Sequence, residues 1–144
     1  MVTTKTVPAQ KTEERKSRER YVEATGGRKT AIARARLFSS GSGFTVNGKT
    51  YQEYFRGEKH RTIALSPIEV TKEAVRVSVM VRGGGINAQA EAVRNAVAKA
   101  LVKLNAEWKK RLKREGFITR DSRMVERKKY GLKKARRAPQ WQKR

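Results

Sequence analysis

The sequence predicts an α+β domain carrying a charged extension at each end. Three observations carry that expectation. Apolar and polar residues alternate over 28–38 and again over 75–82, and a helical pattern follows Gly83-Gly84-Gly85. Behind Asn105 the chain turns strongly basic and poor in large aliphatics. The boundaries read 1–20 for an N-terminal arm, 21–105 for the globular α/β part, and 106–144 for a basic helix and extended tail.

Residues 1–20 hold Thr, Lys, Glu and Arg with little to bury, the composition of a solvated arm. In the run from Arg28 to Phe38, Ala31, Ala33, Ala35 and Leu37 share one face; Arg28, Thr30, Arg34 and Arg36 share the other with Ile32. That is a half-buried strand with a row of guanidiniums outside. Ser39–Gly43 reads as a turn, Phe44–Val46 as a short strand ended by Asn47-Gly48. Thr50 with Glu53 predicts one helix start, and Ser66-Pro67 with Glu69 predicts a second. Tyr51, Tyr54 and Phe55 fall on one helical face and read as core.

Val75, Val77, Val79 and Val81 alternate with Arg76, Ser78, Met80 and Arg82, the clearest strand pattern in the chain. After the glycines, Ala90, Val93, Val97, Ala100, Leu101 and Leu104 make the stripe of a helix that can cover the valine face. Asn105 should end it, and a very basic helix should follow over 106–114. Ile118, Val125 and Leu132 are the only large aliphatics beyond Gly116, so the tail has no core of its own.

Thirty-six basic residues against thirteen acidic ones give a net charge of +23. About half of that excess lies in residues 106–144. Solubility needs far less, and a self-repelling chain of this kind suits a polyanion such as nucleic acid. Zero cysteines exclude disulfides and thiolate chemistry. No apolar run reaches the ~18 residues of a membrane span. The first twenty residues lack the apolar block of a secretory signal. A cytoplasmic protein without membrane partners is expected.

Chemistry finds little support. Gly83-x-Gly85-x-x-Ala88 fits the dinucleotide fingerprint after a strand, with Glu107 downstream. No further strand follows the helix to present that acid to a ribose, so no cofactor is expected. The same glycines suit either a phosphate-binding helix start or a plain tight turn. His60 is the only histidine, flanked by Lys59 and Arg61, and reads as a loop residue. The acids have no metal or acid/base spacing. Neither a catalytic nor a metal site is expected.

The tail is the strongest functional signal. From Thr119 to Arg137 cations recur every one to three residues, spacing suited to phosphates along an extended path. Asp121 and Glu126 read as acids that orient neighbouring arginines, and Tyr130 and Trp141 as candidates for base stacking.

These residues resemble a known family. Tyr21 through Leu37, with the core Thr25-Gly26-Gly27-Arg28-Lys29-Thr30-Ala31, is similar to the opening of the ribosomal small-subunit protein S-nine family. So are Asn47-Gly48 with Tyr54-Phe55, Val81–Gly85, and Ala92-Val93-Arg94 with Ala100-Leu101. The C-terminal Thr119–Arg123 and Glu126–Gln140 are the most specific part, followed by Lys143-Arg144. The chain departs from the family with Ala88 and Glu91, where glycine is usual, and with Trp141-Gln142 in place of an aromatic-serine pair.

The resemblance implies a two-layer α/β sandwich with a left-handed crossover, like the second domain of ribosomal protein S-five. It implies a non-enzymatic place in the small-subunit head, bound to the 3′ major domain of the ribosomal RNA beside neighbouring head proteins. Arg28, Lys29, Arg34, Arg36, Arg120, Arg123, Arg127, Lys128, Lys129, Lys133, Lys134, Arg136 and Arg137 become ribosomal RNA ligands. Lys143 and Arg144 become the pair facing the anticodon stem-loop of peptidyl-site tRNA. The ribosome would be cytoplasmic, or that of an organelle encoding its own copy. The rival class is a free nucleic-acid-compacting or RNA-chaperone protein using the same charge.

Overall fold

The structure, a computed structural model, describes residues 20–143. The arm before Arg20, and Arg144, lie outside the described residues. Strands β1 (Tyr21–Arg28) and β2 (Ala31–Phe38) form an antiparallel hairpin across Lys29-Thr30. Lys29 adopts a left-handed φ of 52°, the backbone that a two-residue hairpin turn demands. Strands β3 (Gly43–Val46) and β4 (Lys49–Thr50) make a second hairpin, with Asn47 and Gly48 both at positive φ.

Helices α1 (Tyr51–Tyr54) and α2 (Glu58–Thr71) then lead to β5 (Arg76–Arg82). That strand lies between β2, antiparallel to it, and β3, parallel to it. The sheet order is β1-β2-β5-β3-β4. The chain continues as α3 (Ile86–Leu104) and α4 (Trp108–Arg114).

One face of the sheet is dry. Ala31, Ala33, Ala35 and Leu37 of β2 and Val77, Val79 and Val81 of β5 are buried there. They pack with Ala92, Val93, Ala96, Val97, Ala100 and Leu101 of α3. Both expected alternations and the helical stripe thus meet in one core. Alanines on β2 and α3 keep the layers close, since a small side chain lets one backbone approach the other. Asn105 ends α3 as expected, its N–H donating to the Leu101 carbonyl. Leu112 of α4 is fully buried, which docks that basic helix on the core.

Two points about the elements go beyond the sequence reading. First, β1 is a strand that alternation alone did not locate. Second, Ser66 and Pro67 do not start a helix: α2 runs through them from Glu58 to Thr71. Pro67 has no amide to give the Ile63 carbonyl, but the Ser66 hydroxyl donates to that same carbonyl at 2.9 Å. The serine repairs the gap in the helix ladder instead of capping a new helix. The Thr50 cap does form, its Oγ accepting from the Glu53 N–H at 3.4 Å, although α1 is a single turn.

Candidate nucleic-acid interface

Among the described residues no helix covers the second face of the sheet, and period-two geometry fills it with the residues the core rejects. On β2 these are Ile32, Arg34, Arg36 and Phe38; opposite them in register on β5 are Arg82, Met80, Ser78 and Arg76. Arg34 and Arg36 both reach Glu23 on β1, at 3.2 and 3.1 Å. Arg36 lies over the Tyr21 ring and Arg76 over the Phe38 ring, 5.0 and 4.4 Å from the centroids. Thr25, Ile32, Arg34, Asn47, Met80, Val81 and Arg82 line a shallow concavity of about 250 Å³ on this face.

The alternation of β2 locates Arg34 and Arg36, but Arg76 and Arg82 join them only through the β2–β5 pairing. The signal was the matching outer face of the valine strand, basic at both ends. Asn47 shapes the rim: its side chain bonds both backbone groups of Val81, at 2.8 and 2.9 Å, extending the pairing past the end of β3.

The other expected ligands lie in the turn and the tail. Lys29 is exposed in the β1–β2 turn. Arg120, also exposed, lies beside Gly27, where a Cβ would sit 3.5 Å from its Nε. Arg127, Lys128, Lys133, Lys134 and Arg137 face solvent along a path without helix or strand, as does Lys143; Arg144 lies outside the described residues. Tyr130 and Trp141 are exposed as well.

The tail acids are paired as the sequence suggested. Glu126 takes Lys129 at 2.8 Å and Arg136 at 2.9 Å, and these bonds hold its carboxyl below the usual glutamate range, Lys129 first. Asp121 accepts from the Arg123 side chain at 2.9 Å and from its N–H, also at 2.9 Å. Those two bonds, ahead of the nearby charges of Arg123 and Arg28, draw the Asp121 carboxyl down to about 2. The same pairing raises the Arg123 guanidinium above its ordinary value.

Arg28 stands apart from the other expected ligands. It points to the helix side, with its side chain 15% exposed, and ion-pairs with Glu91 at 2.6 Å and Asp121 at 3.0 Å. Its guanidinium also donates to the Arg123 carbonyl at 2.8 Å.

The glycine run works as a turn. Gly83 and Gly84 take φ values of 73° and 64°, and a Cβ on Gly83 would meet the Thr30 carbonyl oxygen at 2.6 Å. His60 lies in the first turn of α2, not in a loop, with Nε2 2.5 Å from Asn87 Oδ1. Among the described residues no three His, Cys, Asp or Glu side chains cluster as metal ligands. No described helix is long and apolar enough to cross a membrane.

A small α+β domain with one arginine-lined sheet face and a cationic thread defines a polyanion-binding protein. Residues 26–144 match the family described as ribosomal protein S9/S16, and the chain belongs to that family. It is therefore a ribosomal, RNA-binding protein with a structural rather than enzymatic role. Small ribosomal subunit protein uS9 of Saccharopolyspora erythraea is 48% identical over 128 residues, 87% of this chain and 83% of that one. The protein of the same name from Cytophaga hutchinsonii is 46% identical over 125 residues, 85% and 98% of the two chains.

Proposed function

We propose that this chain is a structural protein of the small ribosomal subunit, bound in the head to the 3′ major domain of ribosomal RNA and to neighbouring head proteins. Its tail follows the RNA and ends at the anticodon stem-loop of peptidyl-site tRNA. The observation that carries this reading is the division of charge in the tail. Asp121 and Glu126 are already satisfied by neighbouring cations, while Arg127, Lys128, Lys133, Lys134 and Arg137 face solvent. A chain so arranged offers cations outward along its length, and each phosphate it meets releases condensed counterions.

Lys29, Arg34, Arg36 and Arg120, with Arg123, Lys129 and Arg136, supply the remaining phosphate contacts, and Lys143 with Arg144 the tRNA end. The parallel pairing of β3 with β5 across intervening helices supports a crossover sandwich of the S-five-like kind, whose left hand is what the family resemblance implies. A cytoplasmic ribosome is the site of action.

Gradient sedimentation of a lysate tests the reading. Near-stoichiometric protein in small subunits after a high-salt wash is expected. Protein spread over all nucleic acid, or removed by the wash, overturns it in favour of a free compacting protein.

A further inference from the structure

Residues 117–123 are gripped by the domain from two sides. From α3, the Asn95 side chain, 4% exposed, donates to the carbonyls of Phe117 and Ile118 at 2.9 and 2.8 Å. One residue earlier, the Arg94 guanidinium lies 5.2 Å from the centre of the Phe117 ring. From the end of β1, Arg28 holds the Asp121 carboxylate and the Arg123 carbonyl, and is itself braced by Glu91. Asp121 then closes on the Arg123 N–H and side chain. From Met124 onward the hydrogen bonds and ion pairs among the described residues stay within the tail, as for Glu126 with Lys129 and Arg136.

The cluster of Arg28, Arg123, Glu91 and Asp121 holds two cations and two anions within ion-pair distance. It contributes no excess charge for a polyanion. What it contributes is direction: every one of its bonds from Arg28 crosses more than sixty positions of sequence. A guanidinium suits this node because its planar fork holds five donors in fixed directions, whereas an ammonium is a compact point charge with three rotatable ones.

We propose that Arg28, Glu91, Asn95 and Asp121 are positioning residues that fix residues 117–123 before RNA is bound, so that the cationic tail leaves the domain on one defined path. This rests on the RNA-binding role of the tail proposed above. Ordering a residue costs conformational entropy, so each one fixed in advance is worth about tenfold in affinity. The clamp also assigns Arg28 to the protein's own architecture instead of to a phosphate.

The sign of a charge change separates this role from others. Glu91→Gln and Asp121→Asn each remove a negative charge from a polyanion-binding protein at nearly constant shape. Electrostatics alone makes both variants bind RNA more tightly. The clamp makes both bind more weakly, roughly tenfold for each residue released.

The experiment measures affinity of the full chain for a transcript of the small-subunit 3′ major domain, with amide hydrogen exchange at Arg123 in the free protein. Weaker binding with faster Arg123 exchange in both variants is the expected result. Equal or tighter binding, or a wild-type Arg123 amide already exchanging as in an open chain, overturns the clamp. A wild-type protein that does not bind the transcript sinks the RNA reading instead, and the exchange comparison then decides the clamp by itself.

Discussion

The backbone of Gly26 in β1 lies directly against that of Ala96 in α3. A Cβ on Gly26 would fall 2.5 Å from the Ala92 carbonyl oxygen, closer still to the Ala96 nitrogen, and 2.9 Å from its Cα. All of these are backbone atoms, so nothing flexible can yield. Gly26→Ala forces the edge strand and the main helix apart and should cost at least about 1–3 kcal/mol, the usual penalty of overpacking a dense core. Gly27→Ala is the control, with its nearest neighbour, the Ala31 carbonyl oxygen, at 3.4 Å. Thermal unfolding of the two variants should show a large drop for the first and little for the second.

That close approach explains why β1 was hard to read. Its interior glycines weaken a strand on propensity, and the reason Gly26 must be glycine is a helix about seventy residues later. By contrast, β2, β5 and α3 were legible because their periodicities coincide with burial along each element. The Ser66-Pro67-x-Glu69 signature failed because it is the same at a helix start and inside a helix; only the direction of the serine bond differs. Arg34 and Arg36 were legible as an outer face, whereas Arg28 was not separable from them. Its partners Glu91 and Asp121 sit 63 and 93 positions away.

Ser66 gives a second prediction. Ser66→Ala leaves the Ile63 carbonyl without a donor and should destabilise the fold by about 1 kcal/mol. In a Pro67→Ala background the residue-67 amide can take that carbonyl, so the same serine change should cost much less. Chemical denaturation of the four proteins in this cycle measures the coupling. Equal serine penalties in both backgrounds would show that the hydroxyl does not substitute for the proline's missing amide.

The arginine-lined sheet face predicts a change in salt dependence. Replacing Arg34 and Arg36 with alanine should weaken RNA binding and flatten the plot of log affinity against log salt by about 0.9 for each duplex phosphate no longer neutralised. Glu23, which both arginines touch, should act the other way: Glu23→Gln frees two guanidiniums and removes a repelling carboxylate, so affinity at low salt should rise. An unaltered slope for the double alanine variant would make this face ordinary solvent surface.

Acid should loosen the tail root over a defined range. Asp121 is lowered in the folded protein from 3.8 to about 2, chiefly by the Arg123 hydrogen bonds, with Arg28 adding to the effect. A depressed carboxylate contributes stability that is complete above the unfolded value and is lost as pH falls through the folded one. The contribution is therefore constant above pH 3.8, declines below it, and disappears as pH drops past about 2. Arg28, which Glu91 braces, also faces this carboxylate, so Glu91→Gln, which unbraces Arg28 and loosens the Arg123 bonds, should raise its titration midpoint. Carboxyl-carbon NMR of Asp121 checks both statements, and a midpoint near 3.8 would mean that the Arg123 bonds are not held in solution.

The end of the tail predicts a separation of assembly from tRNA binding. Lys143 faces solvent beside the exposed Trp141, far along the chain from the clamp at 117–123 and from buried Leu112. Deleting Gln142, Lys143 and Arg144 removes two cations and, among the described residues, no contact with the domain. Unfolding temperature and incorporation into small subunits should therefore be unchanged. Hydrogen bonds from charged groups contribute about 1.5–3 kcal/mol where they are made. Removing the pair should weaken peptidyl-site tRNA binding at least about tenfold at low magnesium, where fewer counterions compensate. Filter binding of tRNA to subunits reconstituted with the shortened protein reads this directly. Full affinity would show that the thread ends short of the tRNA and that its cations serve ribosomal RNA alone.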